Sequence, residues 1–235
     1  MPSLVRFSSL VAALAVLFCS NLQAQGIPKF ERPESGLGLD RMVETGAFYD
    51  VLGHRSAVFG YEDRPSEVWV YPLRLVSDFY LSFQIENYPL TVDGREAVSH
   101  INVRPEATTL TYRHAAFTVK QTMFAPIDEM GVVMLLEVDA VRPITIYGSF
   151  RPDLALMWPA GLMTPGVIWD AEAGTYTMVE ETGRFVGIVG GPGIEDLSIQ
   201  PYQEEPKDEP SVFKLDVTPE EGRTTLRQIV FVGSV

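Results

Sequence analysis

Apolar and polar positions alternate along long stretches of this chain. In Phe79-Tyr80-Leu81-Ser82-Phe83-Gln84-Ile85-Glu86 every odd position is apolar and every even position carries a polar group. That is the period of a strand with one face on a core and the other toward solvent. Ile144, Ile146 and Phe150 repeat it against Thr145, Tyr147, Ser149 and Arg151. The same period, less complete, predicts further strands over residues 68–76, 108–114, 116–124, 176–180, 184–189, 212–217 and 225–232. Residues 132–138 are nearly all apolar and predict a central strand covered on both faces.

Turn chemistry separates these segments at short intervals. Asp93-Gly94, Ala173-Gly174, Thr182-Gly183 and Pro219-Glu220-Glu221-Gly222 predict hairpin or turn connections. Past the first residues no helix-length window repeats apolar positions at helical spacing, and 17 prolines and 19 glycines punctuate the chain. An α/β fold is excluded. The expected fold is all-β, a large two-sheet antiparallel β-sandwich. Residues 25–60 mix Gly, Pro, His and Arg with aromatics, and are expected to form an irregular lead-in lying across the sheets rather than strands. Gly187, Gly190, Gly191 and Gly193 follow a strand, but Pro192 interrupts them and no helix follows, so they read as backbone turns rather than a phosphate cradle.

The beginning of the chain has a different character. Arg6 gives a short positive region, Leu10 to Phe18 an apolar one, and Leu22-Gln23-Ala24 a cleavage site. Residues 1–24 are therefore expected to be a signal peptide, and 25–235 a single domain that is exported, periplasmic or secreted. No stable membrane anchor is expected, because a membrane span needs about 20 apolar residues and this run is far shorter. Cys19 is the sole cysteine and leaves with the leader, so the exported chain has no disulfide, thiol nucleophile or thiolate metal site. The formal charge of −13 becomes one unit more negative once Arg6 is removed. Nucleic acid and anionic membranes are thereby poor partners, since both demand a basic face. The acidic stretch at 204–210 reads as a solvated loop. The strand-like pattern persists to the end of the chain, and the domain is expected to be the N-terminal part of a longer protein.

Candidate chemistry is sparse. His54, His100 and His114 share no metal-ligand spacing, and His114, on the face of Leu110 and Tyr112, is expected to be packed. Gly-x-Ser-x-Gly is absent. Glycoside hydrolysis needs a pair of carboxyl groups, which the 31 acidic residues cannot nominate by sequence. Glu62, Asp63 and Glu67 precede or open a strand and read as solvated surface. No catalytic residue, metal ligand or cofactor is assigned. Binding residues are easier to nominate, because sugar rings lay flat CH faces on indole and phenol rings while polar edges take up the hydroxyls. Trp158, in Leu156-Met157-Trp158-Pro159-Ala160-Gly161, follows a strand in a rigid protruding loop. His54 and Arg55 occupy a second loop, Leu52-Gly53-His54-Arg55-Ser56, rich in groups that bind hydroxyls. Trp158, His54 and Arg55 are the candidate substrate-binding residues. Trp69 and Tyr71 share a strand face with Leu73 and Leu75 and are expected in the core.

The run His54-Arg55-Ser56-Ala57-Val58-Phe59-Gly60-Tyr61-Glu62, then Glu67-Val68-Trp69-Val70-Tyr71-Pro72-Leu73, then Phe150-Arg151-Pro152 with Met157-Trp158-Pro159-Ala160-Gly161, resembles the N-terminal domain of bacterial glycogen-debranching, amylo-α-1,6-glucosidase-like proteins. The similarity covers most of residues 37–235. It implies a supersandwich like that of galactose mutarotase, followed in the parent protein by an (α/α)6 barrel that bears the catalytic carboxylates. It implies further that this chain is itself non-catalytic, packs on that C-terminal domain and lends a loop to binding of an α-glucan or oligosaccharide. Two other readings compete. One is a stand-alone aldose epimerase, with His54 or His100 and Glu62 or Glu67 as acid and base. The other is a structural or protein-binding sandwich in which Trp158 contacts protein.

Overall fold

The computed structural model describes residues 36–158, 165–198, 209–220 and 222–234. The predicted leader, the Pro159-Ala160-Gly161 part of the Trp158 loop and most of the acidic stretch lie outside the described residues. In chain order the strands are β1 (Leu39–Met42), β2 (Phe48–Leu52), β3 (Ser56–Tyr61), β4 (Ser66–Val70), β5 (Leu73–Ile85), β6 (Thr91–Asp93), β7 (Val98–Val103), β8 (Thr108–His114) and β9 (Phe117–Phe124). They continue as β10 (Gly131–Ala140), β11 (Ile144–Leu156), β12 (Gly166–Asp170), β13 (Thr175–Val179), β14 (Val186–Gly190), β15 (Ile194–Asp196), β16 (Ser211–Val217) and β17 (Thr225–Ser234). One short helix, α1 (Gly94–Ala97), separates β6 from β7.

The strands pair antiparallel into two sheets. The larger has nine strands in the order β1-β7-β8-β9-β10-β17-β14-β13-β12. The smaller has eight, in the order β15-β16-β11-β5-β4-β3-β2 with β6 added on β5. Alternation along each strand turns one face of each sheet inward. Leu81, Phe83 and Ile85 of β5 and Met134, Leu136 and Val138 of β10 are buried in one continuous core. Aromatic rings join the layers: Phe79 of the smaller sheet meets Phe231 of the larger edge-on at 5.4 Å, and Phe83 packs 4.8 Å from Phe117. Each such ring contributes about 1.5–3 kcal/mol by leaving water. Gly148 makes room for one of them, because a Cβ there would lie 2.0 Å from the ring of Phe213. The predicted two-sheet sandwich is the fold observed.

Several local expectations are corrected. Residues 68–76 are two strands, β4 and β5, divided by a turn at Tyr71-Pro72. Val68 and Val70 face inward before the turn and Leu73 and Leu75 after it, so inward parity changes across Pro72, which has no N–H to give a ladder. Trp69 is consequently only half-buried and Tyr71 is 62% exposed, not in the core. Residues 25–60 contain β1, β2 and most of β3 rather than an irregular lead-in. Strand β10 is central in the larger sheet, yet Val133 and Leu135 are half-buried, so it is covered on one face only. Asp93-Gly94 opens α1 instead of a hairpin, with the Asp93 carboxylate accepting from the Arg95 N–H at 2.9 Å. Gly174 and Gly183 do turn the β12–β13 and β13–β14 hairpins, at φ of 64° and 67°. His114 is packed as expected, stacked 5.4 Å from Phe117.

Candidate functional site

Two chain reversals and the end of β11 meet at one end of the smaller sheet. The β2–β3 hairpin closes with Gly53 N–H donating to Ser56 O at 2.9 Å. Its Arg55 carbonyl accepts from Tyr71 N–H at 2.8 Å, which lays the β4–β5 turn beside it. The Pro72 carbonyl accepts in turn from Met157 N–H at 2.8 Å, and this draws in the end of β11. The hairpin is fixed against the other sheet by Ser56 Oγ, which donates to Gly131 O at 2.6 Å. Gly53 permits that approach, since a Cβ there would sit 2.9 Å from Pro126 O.

The structure thus brings His54, Arg55 and Trp158 to the same end of the molecule. Trp158 is 84% exposed, and His54 and Arg55 are exposed as well. Leu52, Tyr71 and Met157 add exposed apolar surface at the same end. Arg55 also borders a 540 Å³ depression with Asp128, Glu129, Met130 and Val133 on the start of β10. Indole and phenol faces beside guanidinium and imidazole donors form a surface suited to polyhydroxylated ligands and to apolar partners alike. Sequence reasoning missed Tyr71. The signal that exposes it is Pro72, which marks a turn inside an otherwise strand-like run.

Glu62 is not solvated surface. Its side chain is 1% accessible and is gripped by Arg41, whose Nη1 donates to Oε2 at 2.9 Å and Nη2 to Oε1 at 2.5 Å. The Glu44 N–H adds a third bond at 2.8 Å. Bonding to Glu62 raises the Arg41 pKa above its ordinary value. Because Arg41 is on β1 and Glu62 follows β3, this pair clasps the larger sheet to the smaller. Asp63 accepts from Gly46 N–H at 3.0 Å, and Glu67 from Arg74 Nη1 at 3.1 Å.

These placements separate the acids and bases of the epimerase reading. His54 and Glu62 flank opposite ends of β3, about 20 Å apart at strand rise. His100 stands opposite Met42 in the β1–β7 ladder, one residue out of phase with Arg41, and so alternates to the face away from the Arg41–Glu62 pair. Glu67 belongs to the smaller sheet and His100 to the larger.

No family model and no curated protein sequence matches the chain. Solved structures do match it. A bacterial glucoamylase complexed with acarbose aligns over 88% of this chain and 34% of its own, with 9% identity and a TM-score of 0.52. A protein named as a kojibiose phosphorylase from the human microbiome aligns over 79% of this chain and 29% of its own, with 8% identity and a TM-score of 0.47. A protein named as an aldose 1-epimerase from Escherichia coli K12 aligns over 80% of this chain and 99% of its own, with 9% identity and a TM-score of 0.49. This chain spans about a third of the glucoamylase's length. At such identity the glucoamylase match speaks for the fold alone, a two-sheet antiparallel β-sandwich.

Proposed function

We propose that this chain is the sugar-associated sandwich domain of a larger exported carbohydrate-active protein. In this reading residues 1–24 are removed on export and the domain catalyses nothing itself. It packs on a C-terminal (α/α)6 catalytic domain and offers its rim of reversals to an α-glucan or oligosaccharide. The observation that carries the reading is the meeting of Trp158, Tyr71, His54 and Arg55 at one end of the smaller sheet. Its setting is a fold shared with a glucoamylase, of which this chain spans a third. Aromatic faces there would stack on pyranose rings, while Arg55 and His54 would donate to hydroxyl oxygens.

Calorimetric titration of the protein with maltoheptaose tests this. Saturable binding is expected, with Trp158→Ala weakening it about tenfold, the loss of one buried aromatic contact of about 1.4 kcal/mol. No heat from the wild-type protein, or equal affinity in the variant, would overturn the rim's role. Export is tested separately by intact mass: protein recovered outside the cytoplasm should begin at Gln25, and a retained leader would refute that part.

A further inference from the structure

Unspent polar groups and strained backbone gather at one other place, the outer face of the smaller sheet. Among the described residues five buried side-chain polar atoms lack a hydrogen-bond partner, and three of them, Trp69 Nε1, Arg74 Nε and Asp153 Oδ2, belong to one cluster. Arg74 Nε lies 2.8 Å from Asp153 Oδ2 as an ion pair, without the alignment of a hydrogen bond. Buried groups left in this condition are rare and call for an explanation. The backbone under them is strained too. Asp78 and Leu154, at φ of 51° and 44°, are two of the three non-glycine residues in the left-handed region among those described. Both sit where the β5–β11 ladder slips register, and the slip sets Asp153 beside Arg74 and Asp78 beside Arg151. Strain held in neighbouring central strands is a feature of ligand sites more often than of plain sheet.

Beside this cluster runs a groove of 330 Å³ bordered by Phe48, Phe59, Tyr61, Glu67, Arg74 and Asp78. Phe48 lies parallel to Phe59 at 6.2 Å and edge-on to Tyr61 at 5.8 Å, which makes an aromatic platform along β2 and β3. Phe48 and Tyr61 remain 56% and 42% exposed. Glu67 spends only Oε2 on Arg74. Three carboxylates, Glu67, Asp78 and Asp153, stand against three guanidinium groups, Arg74, Arg151 and the Arg64 group 5.2 Å over the Tyr61 ring, so no net charge favours an ionic ligand. An aromatic wall beside acceptors and donors of balanced charge fits a neutral ring carrying several hydroxyls.

We infer that this outer groove is a second carbohydrate-binding site, distinct from the rim, in which a neutral pyranose ring stacks on Phe48, packs against Tyr61 and gives hydroxyl hydrogen bonds to Glu67. The choice of ligand class rests on the proposed function, whereas the residues are separate from those of the rim. The chain holds 3 tryptophans, so in a Trp158→Phe, Trp169→Phe background Trp69 alone reports. Adding maltoheptaose to that variant should shift Trp69 emission saturably. Tyr61→Ala and Glu67→Gln should each weaken the response about tenfold, the scale expected for one aromatic contact or one charge-assisted bond. An unresponsive Trp69, or a response that neither substitution weakens, would overturn the inference. Should the background fail to fold, calorimetry on single Tyr61→Ala and Glu67→Gln variants gives the same decision. The two readings fail differently. A false rim leaves the Trp69 response intact, and a false groove leaves only binding heat that Trp158→Ala weakens and Tyr61→Ala does not.

Discussion

The two sheets share one core but turn unlike faces outward. On the larger sheet Thr109 and Thr122 pair through their hydroxyls at 2.9 Å, Val133 stands opposite Val230 and Leu135 opposite Gln228. Such a surface suits strand geometry and answers its own polar needs across neighbouring strands. On the smaller sheet the outward positions include Phe48, Phe59, Tyr61 and Trp69, with Glu67, Arg74, Asp78, Arg151 and Asp153 among them. That face keeps hydrogen-bonding groups which the sheet itself does not satisfy. Pairing accounts for these positions on the larger sheet's outer face, whereas the smaller sheet's carries polar groups that pairing does not satisfy.

The comparison presupposes that both faces are held up by the same core, and the largest effect tests that. Phe231→Ala removes a fully buried ring that touches both layers, and should cost about 3–5 kcal/mol in urea unfolding. A single cooperative transition should report both sheets, so separate transitions for the two faces would break the premise. Next in size is the clasp. Glu62→Gln leaves the Arg41 guanidinium without its buried counter-charge and should lower the melting temperature, by less than loss of the phenyl ring. Adding Arg41→Ala to that variant should lower it little further, because the two side chains act as one unit. Additive losses would show that the pair does not couple the sheets.

A smaller effect sharpens the contrast itself. Thr122, 3% exposed, should cost about 1 kcal/mol on replacement by Ala, since its hydroxyl bond to Thr109 is lost, while sugar binding stays unchanged. Tyr61→Ala should do the reverse, leaving stability within about 0.5 kcal/mol and weakening binding. Equal stability losses at the two positions would erase the distinction between the faces.

The same contrast explains what the chain reveals of its own fold. Strands β5, β8, β9, β11 and β16 are legible because most of their outward residues carry polar groups, as with Tyr80, Ser82 and Gln84 against Leu81, Phe83 and Ile85. Strands β2 and β3 are illegible because Phe48, Phe59 and Tyr61 face outward, so neither face reads as polar. Trp69 and Tyr71 mislead in the same way, as outward aromatics read for core. The period fails where aromatic side chains serve the surface, and that surface is the one to which binding is assigned. His54, Arg55 and Trp158 can be nominated singly from loop chemistry. Their meeting depends on the pairing of β3, β4, β5 and β11, a non-local fact that no local pattern carries.

The smallest effect concerns a device confined to the larger sheet, and its sign follows from one carboxylate. Glu180 caps the β13–β14 hairpin: Oε2 accepts from Thr182 N–H at 2.7 Å, and Oε1 from the Thr182 hydroxyl and the Arg184 N–H, each at 2.6 Å. Those bonds, led by the Thr182 hydroxyl, favour the charged form and hold the Glu180 pKa near 2, below its usual 4.5. A carboxyl depressed in the folded state adds stability that is fully present above the unfolded pKa and disappears as pH falls through the folded one. Glu180→Gln should therefore lower the melting temperature at neutral pH. The gap from wild type should narrow as pH falls from 4.5 toward 2. A gap independent of pH would mean that the cap works by shape rather than charge. In either case sugar binding in the groove should not move, because the hairpin belongs to the larger sheet and the groove to the smaller.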